Sequence, residues 1–214
     1  KKEINIVWLK RDLRTYDHLP LNEAEKLKID YEIIYLFEPK IMKEPDYSER
    51  HQQFIYHSLL DINKSLKKYN REVKVFNVDA TELFSYLISN YNINSVLSYQ
   101  ESGTQKTWNR DKKISALLKS NNVKWIEFEN QSIIRGLTNR KGWDKKWYNY
   151  ANSKPIENIY SYSKFNIKAD DYLFDIENFK FLKKYPKSFQ PAGQSYALKY
   201  LKSFVDYRSI HYRN

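Results

Sequence analysis

Five short apolar stretches alternate with amphipathic, helix-like stretches over residues 1–130, and this alternation leaves few folds open to the chain. The strand-like stretches cover residues 4–9, 31–37, 73–78, 96–99 and 124–128. Short joins between strands and helices are typical of a parallel sheet that is covered by helices on both faces. We therefore predict a doubly wound α/β domain with a five-stranded parallel sheet in the order 3-2-1-4-5.

The intervening helices are predicted from capping residues and from apolar residues at helical spacing. Pro20 opens the first helix, Ser48 caps a long second helix, and Thr81 opens a third. A fourth helix is predicted over residues 107–120. The apolar face of the long helix is expected to comprise Phe54, Ile55, Leu59, Ile62 and Leu66. Each helix then has one face to bury against the sheet.

The alternation fails beyond residue 130. Residues 131–190 contain one predicted helix, near 144–151, among proline- and tyrosine-rich stretches without a sustained period. A connector of this length is unusual inside one compact domain, so we expect it to link two domains. Residues 191–214 carry a helical apolar stripe of Ala197, Leu198, Leu201, Phe204 and Val205. With no domain to cover it, we expect this helix to be disordered, to fold back or to self-associate with a neighbouring copy.

The whole chain has a net charge of +11, and the positive charge is concentrated in its second part. Residues 1–130 carry 21 basic against 19 acidic side chains, whereas residues 131–214 carry 16 against 7. A basic segment rich in aromatic residues suits contact with a polyanion such as DNA, or packing on an acidic partner domain. A solvated, lysine-rich surface accounts for the same composition.

Several classes of site are excluded by what the sequence lacks. Cysteine is absent, which excludes disulfides, thiolate metal sites and cysteine nucleophiles. The four glycines form neither a G-x-G-x-x-G loop nor a P-loop, which excludes a standard dehydrogenase or NTPase. The four histidines are scattered, and His51 and His57 do not have the i, i+4 spacing of a helical metal pair. We therefore expect no metal site.

The protein is expected to work in the cytoplasm, away from membranes. No apolar run approaches the roughly 20 residues that are needed to cross a bilayer. Lys1, Lys2 and Glu3 open the chain without the apolar core of a signal peptide. The lack of cysteine gives no support for an oxidising compartment.

The first strand is followed by a loop that is crowded with opposite charges. Arg11 and Arg14 lie just beyond the carboxyl end of this strand, where open α/β sheets place their ligand crevice. Two interpretations are open. The charges contribute to a ligand site, or the arginines pair with carboxylates of Asp12, Asp17 or Asp111 and tie the loop to the sheet.

Several blocks of the sequence resemble the photolyase and cryptochrome family. The most specific is VWLKRDLR at residues 7–14, followed by Asp17 and by Pro20-Leu21 at the start of a helix, which looks like the family's opening motif. Similar blocks of a bacterial branch are YQE at 99–101, RD at 110–111 and IRGLTNRKGW at 134–143. The stretch from QPAG at 190–193 to YRN at 212–214 resembles the first helix of the family's flavin domain. The resemblance thus runs in order over nearly the whole chain.

The resemblance implies an α/β antenna domain at 1–130, an interdomain linker at 131–190 and the truncated start of the FAD-binding helical domain at 191–214. It implies that the full-length protein is a deoxyribodipyrimidine photolyase, a carbon-carbon lyase that uses light and FAD to split cyclobutane pyrimidine dimers in damaged DNA. The flavin-contacting residues would lie in a C-terminal domain outside this chain. No catalytic residue is therefore assigned, and the fragment alone is expected to be inactive.

In this family the α/β domain commonly binds an antenna chromophore, which is a folate, a deazaflavin or FMN. An aromatic chromophore needs an apolar wall and a few fixed polar groups, so we expect it at the carboxyl ends of the first, second and fourth strands. The expected binding residues are Lys10, Arg11, Phe37, Glu38, Gln100 and Glu101. The folate-binding branch carries an Asn-Glu pair just before the Arg-Asp block. Lys106 and Thr107 occupy those positions here, which argues against folate.

Two alternatives to a photolyase remain open from the sequence. A cryptochrome-type blue-light photoreceptor has the same fold without repair. A free-standing nucleotide-binding α/β module is the other, although the glycine-rich loop that would support it is missing. The basic segment at 135–146 is likewise open to two interpretations, contact with DNA phosphates or contact with the flavin domain.

Overall fold

The computed structural model describes residues 1–130 and 133–212. Its centre is a sheet of five parallel strands in the order β3-β2-β1-β4-β5. The strands are β1 (Glu3–Leu9), β2 (Tyr31–Leu36), β3 (Val73–Phe76), β4 (Asn92–Tyr99) and β5 (Lys124–Phe128). Both the α/β class and the strand order that were predicted from the sequence are confirmed.

Seven α-helices occur in the described residues. They are α1 (Leu19–Lys26), α2 (Pro39–Met42), α3 (Glu49–Leu66), α4 (Ala80–Asn90), α5 (Gln105–Ser120), α6 (Trp143–Ala151) and α7 (Gln194–Asp206). Short 3-10 turns lie at Lys67–Tyr69, Asp170–Tyr172, Ile176–Lys183 and Arg208–His211. Helices α1 and α3 pack on one face of the sheet, and α4 and α5 pack on the other. Nowhere in the described ranges is a helix both long and apolar enough to cross a membrane.

Strand β4 is longer than the sequence predicts. Three of its first four residues, Asn92, Asn94 and Ser95, are polar, and the strand was predicted to begin only at Val96. The side chain of Asn5 on β1 makes polar residues acceptable there, because its Oδ1 accepts hydrogen bonds from Asn94 Nδ2 (3.1 Å) and Ser95 Oγ (2.7 Å). Satisfied polar side chains can therefore extend a buried strand.

Helix α3 begins as predicted behind Ser48, whose Oγ accepts a hydrogen bond from His51 N (3.4 Å). Its buried apolar residues are Leu59, Ile62 and Leu66. Phe54, which was expected on the same face, is instead 39% exposed. Helix α4 begins at Ala80, one residue before the predicted Thr81. The helical signals thus placed both helices correctly, with small errors in face and boundary.

The two faces of the sheet bury separate apolar cores, because successive strand residues point to opposite faces. Trp8 of β1 packs edge-on against Phe84 of α4, with ring centroids 5.1 Å apart. Its neighbours Val7 and Leu9 lie in the core formed with α1 and α3. Burying a valine or leucine side chain stabilises the fold by roughly 1.5–3 kcal/mol. Both cores therefore hold the carboxyl end of β1 in place.

The segment after β5 packs along the domain. Phe174 N donates a hydrogen bond to Val75 O (2.9 Å), and Leu173 pairs with Phe76 in an antiparallel bridge. Buried residues of this segment include Ile167, Ala169 and Leu182. The segment covers part of the outer edge of β3, which would otherwise expose unpaired backbone groups. Its division at residue 190 from a second domain stays a prediction.

Helix α7 is fastened to the α/β domain at its amino end. Asp61 of α3 accepts hydrogen bonds from Ser195 N (2.9 Å) and Ser195 Oγ (2.8 Å). Gly193, just before α7, has a φ of +103°, and a Cβ there would lie 2.7 Å from Asp61 Cβ. Glycine is therefore required at this position. The exposed apolar residues of α7 include Tyr196, Tyr200, Leu201 and Val205.

Candidate functional site

A cleft of about 880 Å³ opens where β1 and β2 end. Its walls come from the loop after β1, the segment after β2, α3, the start of α5 and the first half of α7. The lining residues include Lys10, Arg11, Arg14, Glu38, Tyr47, Phe54, Glu101, Arg110, Gln194, Leu198 and Leu201. The cleft thus lies at the sheet edge where the strand order predicts a crevice.

The six residues expected at the chromophore site divide into two groups. Lys10, Arg11, Glu38 and Glu101 line the cleft. Phe37 does not, because it is fully buried against Phe174 of the later segment, with ring centroids 4.8 Å apart. Gln100 also lies outside the lining, and its buried Oε1 has no hydrogen-bond partner among the described residues. The structure therefore brings four of the expected residues together.

Arg110 of α5 is the centre of the polar side of the cleft. Its Nη1 donates to Glu38 Oε1 (2.6 Å), and its Nη2 donates to Glu101 Oε2 and to Asp111 Oδ1 (2.8 Å). The guanidinium also lies over the ring of Trp8, 4.8 Å from its centroid. These contacts join the ends of β1, β2 and β4 to α5. Arg110 belongs to one of the blocks that resemble the family, but its sequence position does not predict this role.

Burial and ion pairing set the charges around Arg110. Burial raises the pKa of Glu38, although Arg110 acts in the opposite direction. For Glu101, burial also opposes ionisation, but its attraction to Arg110 and the hydrogen bonds that it accepts outweigh burial and lower its pKa. Burial acts against the charge of Arg110 as well, and the surrounding carboxylates outweigh it and raise its pKa. Arg110 and Glu101 are therefore both charged at neutral pH.

Lys10 lies against two tryptophan rings. Its Nζ lies 4.5 Å from the ring centroid of Trp8 and 4.9 Å from that of Trp125. The same atom donates a hydrogen bond to Asp111 Oδ2 (3.1 Å). Burial lowers the pKa of Lys10, and Asp111 partly offsets this effect. The ammonium is fixed on the floor of the cleft by these contacts.

The two arginines of the first loop are held by different groups. Arg11, whose side chain is 64% exposed, donates from Nε to Glu101 Oε1 (2.9 Å). Arg14 donates from Nε to the backbone carbonyl of Asp17 (3.0 Å). The carboxylates considered from the sequence, those of Asp12, Asp17 and Asp111, are not their partners in the described residues. Arg11 thus ties the loop to Glu101 at the end of β4, whereas Arg14 makes its hydrogen bond within the loop itself.

His18 and Asp12 form a buried pair that the sequence analysis did not identify. His18 Nε2 lies 2.7 Å from Asp12 Oδ2, and His18 Nδ1 accepts a hydrogen bond from Leu21 N (3.2 Å). Burial acts against the charge of Asp12, but the contact with His18 and the backbone hydrogen bond from Lys10 together outweigh it and lower the pKa of Asp12. Pro20 marks the start of the helix in the sequence, but histidine is not a usual N-cap residue, so no local signal identified the pair.

Arg135 reaches the site from the segment after β5. Its Nη1 donates to Glu127 Oε1 (3.3 Å), and its Nη2 donates to the backbone carbonyl of Glu101 (2.6 Å). Sequence spacing could not identify this contact, because Arg135 follows the last strand and turns back to the end of β4. Arg135 therefore fixes the backbone beside one cleft carboxylate.

Helix α7 supplies an apolar wall on the other side of the cleft. Gln194 Oε1 accepts a hydrogen bond from Tyr16 N (3.2 Å) and lies within hydrogen-bond distance of Thr15 N. One and two turns further on, Leu198 and Leu201 line the cleft and are 45% and 57% exposed. A planar ligand could therefore cover apolar surface on α7 while its polar groups meet the opposite side.

Lys106 and Thr107, at the positions that argue against folate, both make contacts within the protein. Lys106 forms an ion pair with Glu44 in the segment after α2. Thr107 is buried, and its Oγ1 donates to Thr104 O (3.0 Å). In the described parts of the chain, no group of three or more metal-binding side chains is arranged to hold an ion.

The family model for DNA photolyase matches residues 5–149. A curated deoxyribodipyrimidine photo-lyase from Buchnera aphidicola subsp. Acyrthosiphon pisum (strain APS) is 24% identical over 225 residues. The alignment covers 97% of this chain and 46% of that relative. The chain therefore spans about half the length of the curated relative that it matches.

Solved structures show the same fold. A class III photolyase from Agrobacterium tumefaciens matches with a TM-score of 0.76 at 20% identity, over 96% of this chain and 45% of its own. An archaeal photolyase from Sulfolobus tokodaii matches with a TM-score of 0.70 at 19% identity, over 92% of this chain and 46% of its own. A cryptochrome from Synechocystis sp. PCC6803 matches with a TM-score of 0.71 at 16% identity, over 94% of this chain and 46% of its own. At these identities the likeness establishes the fold alone.

Proposed function

Since the chain belongs to the DNA photolyase family, we propose that it is the amino-terminal, antenna-binding half of a light-driven photolyase that repairs cyclobutane pyrimidine dimers in DNA. The chain spans 46% of its curated relative, so FAD and the damaged DNA are proposed to bind in the other part of that length. The role proposed for this chain is to hold an antenna chromophore and to support the flavin-binding half.

The observation that carries the proposal is the cleft at the end of β1 and β2. Its volume of about 880 Å³ falls within the range of roughly 300–1,000 Å³ that small-molecule sites occupy. One wall is apolar, and the other carries charged groups that are fixed by ion pairs. An aromatic chromophore with polar substituents requires this combination.

Different residues of the cleft would contact different parts of the chromophore. Leu198 and Leu201 on α7 offer apolar surface to a ring system. Arg11 has an exposed guanidinium beside the cleft and offers hydrogen-bond donors to a carboxylate or phosphate group of the ligand. Arg110 is fully engaged with carboxylates and would position Glu101 rather than contact the ligand directly. The chromophore would supply light absorption and transfer its excitation energy to the catalytic flavin.

A flavin is the proposed class of antenna. The archaeal photolyase from Sulfolobus tokodaii is described with two FAD molecules and with an implied light-harvesting cofactor, which supports a flavin in a protein of this fold. Lys106 and Thr107 stand where the folate-binding branch carries its Asn-Glu pair, which disfavours folate. FMN, FAD and a deazaflavin share the planar tricyclic framework that the cleft would hold, although carbon replaces one ring nitrogen in the deazaflavin.

Ligand titrations test the proposed site. The chain is titrated into FMN, FAD, a deazaflavin and a methenyl-folate, and the fluorescence anisotropy of each is followed. We expect binding of at least one flavin, and we expect Leu198→Trp to weaken it at least tenfold by filling the cleft. Val205→Trp is the matched control, because Val205 lies on the same helix away from the cleft. Equal effects of both variants would contradict the placement.

The repair activity is tested in the native protein that contains this chain. It is illuminated with near-ultraviolet or blue light together with an ultraviolet-irradiated oligothymidylate. A photolyase restores intact thymine only in the light. Flavin photoreduction without restored thymine would favour the cryptochrome alternative, which one of the structural relatives represents.

A further inference from the structure

Helix α6 projects from the domain with every side exposed. All residues from 136 to 155 are exposed, and α6 buries none of its own side chains. An isolated helix of nine residues gains little stability from its backbone alone. A surface segment of this kind is typically stabilised by a partner.

Four aromatic side chains lie on this exposed segment. Trp143 and Trp147 stack on each other, with ring centroids 6.5 Å apart and an interplanar angle of 27°. They are 36% and 49% exposed, and Tyr148 and Tyr150 are 63% and 45% exposed. Exposed aromatic groups so close together mark an interaction surface rather than a part of the core.

The same segment is strongly basic. Between residues 136 and 155 the only acidic residue is Asp144, and the basic residues are Arg140, Lys141, Lys145, Lys146 and Lys154. In the described chain none of these five forms an ion pair. Their charge is therefore available to an anionic partner.

Both ends of the segment are anchored to the α/β domain. Before it, Arg135 is bonded to Glu127 and to the carbonyl of Glu101. After it, Ile156 N donates to Asp17 Oδ1 (3.0 Å), and Asp17 N donates to Ile156 O (2.9 Å). The aromatic and basic side chains of α6 are thus held at a defined place on the surface.

We propose that α6 is a binding surface for single-stranded nucleic acid. Stacking of bases on exposed aromatic rings, with lysine and arginine beside the phosphates, is the physical basis of sequence-independent single-strand binding. Trp147 and Tyr148 are the exposed stacking platforms, and Lys145 and Lys146 are the adjacent phosphate contacts. This inference goes beyond the antenna and repair roles and involves neither a chromophore nor a lesion.

The test measures binding of the 214-residue chain to an undamaged, fluorescein-labelled oligothymidylate in the dark, over a range of salt concentrations. We expect the double variant Lys145→Glu/Lys146→Glu to lower the affinity at least tenfold. Loss of two phosphate contacts should also reduce the slope of log K against log salt by about 1.4. Trp147→Ala should lower the affinity about fivefold or more with little change in slope, because stacking releases no counterions.

The matched control is Lys67→Glu/Lys68→Glu, which makes the same charge change at two exposed neighbouring lysines elsewhere on the surface. If both double variants weaken binding equally, or if the chain does not bind the oligothymidylate, the proposal is overturned. That result would instead favour a protein domain as the partner of α6. Dark binding to an undamaged strand is independent of the antenna and repair assays, so the two proposals fail separately.

Discussion

The guanidinium of Arg110 donates a hydrogen bond from Nη1 to Glu38 Oε1 over 2.6 Å. This contact joins α5, the helix that follows β4, to Glu38 in the segment that follows β2. Both side chains are largely buried, at 12% and 6% exposure. The edge of the sheet that carries the cleft is therefore held together by paired charges as well as by apolar packing.

Replacement of Arg110 by Met is expected to be strongly destabilising. It leaves the buried carboxylates of Glu38 and Glu101 without their main partner, which costs about 3–5 kcal/mol of unfolding free energy. Urea unfolding gives the measurement. The exposed ion pair of Arg11 provides the control, since Arg11→Met should cost no more than about 1 kcal/mol. Similar losses for both variants would contradict the role of Arg110.

Glu32 is expected to make stability depend on pH. Burial raises its pKa from 4.5 to about 7. A carboxyl group with a raised pKa binds its proton more tightly in the folded chain than in the unfolded one. The stability that this proton binding contributes is therefore lost as pH rises from about 4.5 through about 7. The free energy of unfolding should fall by on the order of 1–3 kcal/mol over this range. Glu32→Gln should remove this loss, as measured by urea unfolding across the same pH range.

Glu72→Gln is the control for this prediction, because Glu72 lies nearby but its side chain is 57% exposed. It should leave the pH dependence close to that of the unmodified chain. A Glu32→Gln variant with unchanged pH dependence would show that Glu32 ionises normally in the folded protein.

Gly103 is expected to be required for close packing in the loop that leads into α5. A Cβ at this position would collide with Thr107 Oγ1 and lie 2.9 Å from Glu101 Oε1. We expect Gly103→Ala to lower the free energy of unfolding by about 1–3 kcal/mol. Adding Thr107→Ala should recover part of the loss, because it removes the nearest obstructing atom. Thermal unfolding that is unchanged in Gly103→Ala would count against this close packing.

Asp61 is expected to hold the first turn of α7. Asp61→Ala removes the acceptor for both hydrogen bonds of Ser195, a loss that corresponds to about 0.5–2 kcal/mol for a helix cap. Amide hydrogen exchange in α7 should become faster, while exchange in β1 should not change. Asp61→Asn keeps one acceptor oxygen and should show an intermediate effect. Unaltered exchange in α7 would mean that other contacts hold the helix.

The fold could be predicted from the sequence because its signals are local. Apolar β-branched stretches and capped helices identified all five strands and the main helices, and the rules for parallel connections led to the observed strand order. Two of the errors occurred where a distant residue intervenes. Asn5 satisfies the polar start of β4, and Phe174 covers Phe37 and removes it from the cleft.

The candidate site was only partly predictable for the same reason. Lys10 and Arg11 follow β1 directly, so strand position alone placed them at the cleft. The partners of Arg110, by contrast, depend on contacts between elements that are far apart in sequence. Arg135 returns from beyond the last strand. Contacts of that kind have no periodic or spacing signal.

Hydrogen exchange of the chain with and without a bound flavin tests the central claim most directly. An antenna in the cleft should slow amide exchange in residues 101–107 and 194–201, which border it on opposite sides. Slowed exchange confined to another surface, such as the groove formed by residues 187–191 with the far side of α7, would contradict the assignment of the cleft as the chromophore site.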